Sequence, residues 1–366
     1  MSTRRTVLKI LGGGTIVAAA GTGGFLATRT PTKALAPWDN ATSYSDPRKR
    51  ALAHALLAPN PHNRQPWLVE LQGDDTVILH RDKDRDLPMT DPYNRQIFIG
   101  LGCFTEQMVV AASAEGLSTD LTLFPEGEEG PVFKAKFRQG GQKDPLADHI
   151  LSRRSCKYPY DAQLPEAEKV AALSALGDVY TDSETVARLR KLTIDALKVE
   201  VKTPRTMKES VDLMRVGKSE INANPDGLEM RDPLMDALRR VGILTNELLM
   251  DTDHPAFEAQ MADFYATLEA TPAYVVVRTA ANTRRDQIDA GRRWLRLNLT
   301  ATALGLGVHP CSQALQEFAE MADHYAAAHQ MLAEPGETVQ MLGRLGYGPE
   351  AETTPRWALE TRILNA

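Results

Sequence analysis

Residues 102–117 read GCFTEQMVVAASAEGL, and residues 291–306 read GRRWLRLNLTATALGL. In both, the two glycines stand fourteen positions apart, Ala112 and Ala114 match Ala301 and Ala303, and the run closes on Ala-x-Gly-Leu. Apolar residues recur at helical spacing, and a glycine follows the last of them, where a left-handed C-terminal residue carries no side-chain penalty. Each copy predicts a buried helix, with small residues that permit close packing. Strand-like runs flank them: TVILHRD before the first, AYVVVRTA (residues 273–280) before the second, and ETVQMLGRLGYG after it. The duplication predicts two similar halves, residues 38–147 and 148–366, with a boundary near 140–148.

Bulk properties are those of a globular protein. The chain has 366 residues, 43% hydrophobic and 25% charged, with a net charge of −6. No basic excess points to nucleic acid as a partner. The three cysteines, Cys103, Cys156 and Cys311, form no CxxC pair and no metal-ligand spacing with histidine, so no metal site is expected.

At the N-terminus, STRRTVLK (residues 2–9) precedes ILGGGTIVAAAGTGGFLA. Twin arginines ahead of a glycine-rich apolar stretch resemble a twin-arginine (Tat) export signal. Residues 1–37 are therefore set apart from the fold. Such a signal implies the Tat translocase as a partner, and a location in the periplasm or on the outer face of the cytoplasmic membrane. The sequence ALA at residues 34–36 offers a cleavage site, compromised by Pro37. A retained membrane anchor stays open, and this is the only expected membrane contact.

Two polar segments carry the candidate chemistry. APNPHNRQPW (residues 58–67) places three prolines in an elbow between a helix and two strands, which fixes backbone groups at little entropic cost. HILSRRSCKYPYD (residues 149–161) opens the second half with Arg153, Arg154, Ser155 and Lys157 within five residues. Arginine presents a fork suited to phosphate, serine adds a donor, and lysine is a mobile point charge. Near the end, TTPRWALETR holds Arg356 behind Pro355. No nucleophile elbow, Walker loop or acid–base pair stands out.

Together these segments resemble the FMN-dependent nitroreductase family. APNPHNRQPW is similar to its NxQPW motif, and RRSCKYPYD to its R-x-S-x-R/K-x-[FY] motif. GRRWLRLNLTATALGLGVHP resembles its long central helix and the loop after it, and LGRLGYGPEAETTPRWALE its closing strand and Pro-Arg terminus. The resemblance spans about residues 45–366. It implies an α+β fold, each half a mainly antiparallel sheet packed by helices. NxQPW occurs only in the first half, and the arginine–serine motif and Pro-Arg only in the second. That distribution resembles the Acg-type branch, single chains with two nitroreductase-like halves. It implies an intramolecular pseudo-dimer with one FMN per chain and no obligate homodimer.

Carried over residue by residue, the resemblance implies that Asn60, Pro61 and Asn63 contact the flavin or its ribityl chain across the seam. Gln65 and Trp67 would hold the elbow's own shape. Arg153, Ser155 and Arg356 would hold the phosphate. Lys157 would face the N1–C2 carbonyl edge, and His309 and Pro310 the N5 edge through backbone groups. The family's usual small serines are replaced at Asn60 and Pro61. Chemistry would reside in FMN, with no catalytic side chain. Two functions are compatible with this. One is an oxidoreductase passing hydride from NAD(P)H, as transient donor, through FMN to a nitroaromatic, quinone or similar small-molecule acceptor. The other is a low-turnover flavin-binding protein whose segment at about residues 200–260, two or three helices joined by NANPDG, covers the flavin as a lid.

Overall fold

The computed structural model describes residues 29–365. The region read as an export signal lies outside them up to residue 28. Residues 32–37 do not: Thr32–Asn40 is a helix with Ala34, Pro37 and Trp38 buried. The boundary set at residue 37 falls inside this helix, which bonds the second half's tail.

The first half builds one four-stranded antiparallel sheet in the order β1-β2-β4-β3, from Trp67–Gln72 (β1), Thr76–Arg81 (β2), Leu117–Leu123 (β3) and Phe133–Gln139 (β4). The second half builds another, β5-β8-β10-β9, from Asp178–Tyr180 (β5), Ala273–Thr279 (β8), Gly307–Pro310 (β9) and Thr338–Gly346 (β10). The intervening β6 (Met214–Val216) and β7 (Leu228–Met230) form a separate parallel ribbon. Counting each half's own strands, the order is identical. In each, the second strand leads into a long helix, and the third and fourth strands follow it.

Those helices are Arg95–Ala114 and Arg284–Ala303, twenty residues each. The first starts where both Asp91 carboxylate oxygens accept from the backbone N–H groups of Gln96 and Ile97. The second starts at a reciprocal Thr283–Asp286 capping box. Both end as the repeat predicts, with Gly116 at φ +70° and Gly305 at φ +72°. They pack against each other at matched glycines. A Cβ on Gly102 would lie 2.2 Å from the carbonyl oxygen of Ile288, and one on Gly291 would lie 2.0 Å from that of Ile99. Gly102 and Gly291 are equivalent in the repeat, as are Ile99 and Ile288, each three residues earlier. The contact is therefore reciprocal, as at a two-fold interface. Arg95–Ala114 is long and apolar enough to cross a membrane, but 89% of its most apolar window is buried here.

After β10 the chain returns to the first half. Ile363 pairs with Val69 in parallel, the Leu364 N–H donates to the Val69 carbonyl at 2.8 Å, and the Asn365 side chain bonds the backbone of Leu71. The tail thus covers the β1 edge, which would otherwise present unpaired backbone.

The segment at residues 200–260 differs from the expected two or three helices. Helices Pro204–Asp212, Gly217–Ala223, Pro233–Arg240 and Asn246–Met250 alternate with β6 and β7, and Pro255–Glu269 closes it. NANPDG does not join two helices but leads from Gly217–Ala223 into β7.

Candidate functional site

The elbow is stapled rather than loose. Pro61–Asn63 forms one 3-10 turn, and His62, Asn63 and Gln65 all have positive φ, at 46°, 49° and 52°. Three non-glycine residues in that region within four positions is strained backbone, held only where surroundings over-determine it. The surroundings do so. Asn60 Oδ1 accepts from the Gln65 N–H at 2.7 Å, and Asn60 Nδ2 donates to the Ala58 carbonyl. Gln65, fully buried, donates through Nε2 to the Pro225 carbonyl at 2.7 Å and accepts at Oε1 from the Trp357 N–H at 2.9 Å. Trp67 packs its ring 4.9 Å from Phe104. Gly100 lets the elbow approach the first long helix: a Cβ there would stand 3.0 Å from Pro61 Cδ.

Gln65 and Trp67 thus shape the elbow, as expected. Asn63 differs from expectation: its Nδ2 donates to the Pro355 carbonyl and its Oδ1 accepts from Arg356 Nη1 at 2.7 Å. The side chains of Asn60 and Asn63 therefore act inside the elbow, which leaves backbone atoms of the turn to face a ligand.

Arg356 is corrected in the same way. It is 3% exposed, and its donors go to the carbonyls of Leu56, Leu57, Ala58 and Pro355, to Asn63 and to Thr354 Oγ1. Leu56 and Leu57 follow the helix Pro47–Ala55, so Arg356 sits at that helix's negative end. All five of its N–H groups are committed, and none is left for a phosphate. Burial lowers its pKa to about 9.

Arg153 is different. It is also 3% exposed, but only Nη2 has a partner, the Leu57 carbonyl at 2.9 Å. Nε and Nη1 are sealed from solvent with no acceptor, and no carboxylate lies within ion-pair distance among the described residues. Burial first, then Arg154, lowers its pKa to about 10. Each orphaned donor costs about 1–3 kcal/mol, and an uncompensated buried charge more.

The other predicted cationic residues converge on the same seam. Ser155 bridges Val308 in parallel, and the Cys156 N–H donates to the Val308 carbonyl at 3.1 Å, which lays the arginine–serine segment beside β9 and so beside His309 and Pro310. In an extended segment, alternate residues Arg153, Ser155 and Lys157 share one side. Lys157 is exposed, yet burial lowers its pKa, opposed by Glu229 and helped by Arg356. Burial and then Lys157 also push His62 down to about 4.

Several residues here carried no sequence signal that was used. His62 lay in a variable motif position. Its Nε2 stands 3.8 Å from Glu200 Oε1, a carboxyl that burial raises to about 7. Glu229 on β7 comes within Coulombic reach of Lys157 and Arg356, and burial raises its pKa. The NANPDG loop clamps onto the elbow. Asp226 accepts from Arg64, Arg85 and Arg215 at 3.1, 2.6 and 3.2 Å, and the Gly227 N–H reaches the Asn63 carbonyl. Trp38, the first residue after the stretch read as the export signal, lies under the Arg154 guanidinium at 4.2 Å and donates to the Thr354 carbonyl. No group of His, Cys, Asp and Glu able to hold a metal occurs among the described residues.

Over 133 residues, 34% of the chain, the sequence is 34% identical to a putative NAD(P)H nitroreductase, acg, of Mycobacterium tuberculosis. Over that stretch the chain is similar to this relative. A second, uncharacterized protein of the same bacterium is 30% identical over 125 residues. The chain spans 39% and 36% of the length of these two curated relatives. Among solved structures, a nitroreductase with bound FMN from Desulfitobacterium hafniense aligns with 62% of this chain and 100% of its own, at 13% identity and a TM-score of 0.35. The FMN-dependent nitroreductase NfnB from Mycobacterium smegmatis, in complex with NADPH, aligns with 59% and 96%, at 16% identity and 0.36. No family model matches the chain.

Proposed function

We propose that the chain is a flavoprotein of the nitroreductase family, a fused pseudo-dimer of the Acg type that binds one FMN at the seam between its halves. The observation that carries this is Arg153: a buried guanidinium with two donors unpaired and no carboxylate partner. A phosphate ester supplies the missing charge and acceptors in the bidentate geometry that arginine favours. Ser155 and Lys157, whose side chains make no hydrogen bond among the described residues, stand on the same segment.

In this reading Arg153 and Ser155 hold the phosphate, and Arg356 holds the elbow that faces it. Lys157 supplies positive charge to the ring edge where a reduced flavin becomes anionic. Pro61, the turn backbone and the β9 end at His309 and Pro310 wall the ring. FMN, when bound, would supply hydride and electron transfer between NAD(P)H and a nitroaromatic, quinone or similar acceptor. The chain is further proposed to be exported by the Tat route, with the segment from Thr32 retained. The Arg356 N–H donates to the Ala34 carbonyl at 2.8 Å, and the Ala34 N–H to Asn222 Oδ1. Cleavage at residues 34–36 would remove both bonds.

A second reading, flavin retention with little turnover, is favoured by one observation. The segment 200–260 is bonded to the elbow through Gln65, Asp226 and Gly227, so it covers that flank. The experiment is to purify the chain, record its visible spectrum and quantify flavin after denaturation. About one FMN per chain is expected. Two per chain would mean a second complete site, and a colourless chain that takes up no FMN would overturn the flavin reading. Reduced nicotinamide added to the loaded chain separates the two functions: fast bleaching indicates the oxidoreductase, and absent bleaching indicates retention.

A further inference from the structure

Arg344 is fully buried in the middle of β10, an otherwise mostly apolar strand. Its Nε donates to Thr271 Oγ1 at 2.7 Å, and Nη2 donates to the carbonyls of Tyr158 and Ala270, each at 3.2 Å. Its plane lies 4.4 Å over the Tyr160 ring. The remaining nitrogen, Nη1, stands 3.1 Å from Nδ1 of His309, its direct cross-strand partner. A guanidinium donates and never accepts. His309 Nδ1 must therefore accept, and the ring's proton sits on Nε2. That nitrogen makes no hydrogen bond among the described residues and is not sealed from solvent.

We propose that Arg344 is a positioning residue: it fixes His309 as a neutral Nε2–H donor, giving the cleft a hydrogen-bond donor whose state does not change with pH. The groups around the ring agree. Arg344 faces it from β10 and Lys157 from the arginine–serine segment, while Tyr160 and Cys311 lie near Arg344. No carboxylate acts on it, and burial followed by the two cations holds its pKa well below the usual value. A freely titrating histidine would add a second positive charge beside Lys157 in mild acid, and flavin affinity would then follow pH.

The first half has no such device. At the equivalent cross-strand position, Asp120 faces Lys136 and pairs with Arg138 in solvent. The lock is present only in the half whose third strand borders the cleft.

The use of this donor rests on the flavin reading above, but its existence does not. The test is nitrogen-15 histidine NMR on the full chain without FMN, with His309→Gln identifying the resonance. The expected result is a single Nε2–H tautomer, uncharged from pH 5 to 8. An Nδ1–H tautomer, or a titration in that range, overturns the proposal. In Arg344→Met nothing compels Nδ1 to accept, so the Nδ1–H tautomer should appear beside Nε2–H. Should that variant not fold, the wild-type spectrum still decides. FMN binding then reads the consequence. Wild-type affinity should show no histidine step between pH 5 and 8. A purely structural arginine would leave the ring as Nε2–H alone in Arg344→Met. A locked histidine in a chain that takes up no FMN would overturn the flavin reading alone. FMN uptake with a titrating histidine would overturn only the lock.

Discussion

The two halves share their sheet order, their long helices and the glycines at which those helices meet. Besides the second half's insertion between β5 and β8, they differ at two matched places. In the first half, the helix Pro47–Ala55 leads through the ten-residue elbow into β1; in the second, the helix Ala167–Ser174 reaches β5 through residues 175–177 alone. In that short turn a Cβ on Gly177 would stand 2.5 Å from the Val276 carbonyl oxygen, so no elbow fits there. Conversely, the pair on the third and fourth strands is half-buried His309 with buried Arg344 in the second half and exposed Asp120–Lys136 in the first. The lesson is that the scaffold is symmetric where helices must pack and asymmetric where a ligand would be held.

The symmetric part should break most severely. Gly102→Ala and Gly291→Ala each drive a methyl into backbone that cannot yield, so each should cost about 3 kcal/mol or more in urea unfolding. Their costs should agree within about 0.5 kcal/mol; a large inequality would mean the reciprocal contact is not a true equivalence.

The arginines come next, with opposite signs. Arg356→Met strands the carbonyls at the end of the helix Pro47–Ala55 and should cost about 2–3 kcal/mol of stability. Arg153→Met removes an uncompensated charge and should leave the flavin-free chain as stable or more so. FMN binding should nevertheless weaken by about 1.5–3 kcal/mol in isothermal titration. An Arg153 variant with unchanged FMN affinity would sink the phosphate assignment.

The elbow and its neighbour supply a pH test. Glu200 is raised to about 7, so the folded state holds a proton that the unfolded chain releases near 4.5; stability from this group falls as pH rises between those values. His62 is lowered to about 4, so its contribution falls as pH drops from about 6.5 toward 4. The slopes oppose each other between about pH 4.5 and 6.5, and His54, His309 and His329, also held low, add to the histidine slope. The Glu200 part is read as a difference: relative to Glu200→Gln, the wild-type urea midpoint should fall as pH rises from about 4.5 to 7.

The smallest effect belongs to the first half's exposed pair. Asp120 and Arg138 side chains are 58% and 60% exposed, so Asp120→Asn should change stability by less than about 0.5 kcal/mol. A larger loss would mean that this strand pair does more than shed solvent.

What the sequence alone determined was what local periodicity and turn chemistry encode. The two long helices, their glycine ends, the strands before them and the elbow of prolines were all legible. Each depends on residues near one another in the chain. The duplication predicted the matched glycines without predicting that they touch. Tertiary structure decided the rest, because donors and acceptors far apart in sequence choose partners only once the chain closes. Arg356 and Arg153 read alike in sequence, but carbonyls at a helix end and nearby side-chain oxygens take every donor of one, while the other meets only the Leu57 carbonyl and keeps two nitrogens unpaired. Residues 32–37 read as the end of a leader, yet they lie in one helix with Trp38, which packs beneath Arg154 and bonds the tail that carries Arg356. Arg344, one charge in an apolar strand, gained its role only when antiparallel register set it opposite His309. Local pattern fixes which elements form; burial and register fix which polar atoms are left free to bind.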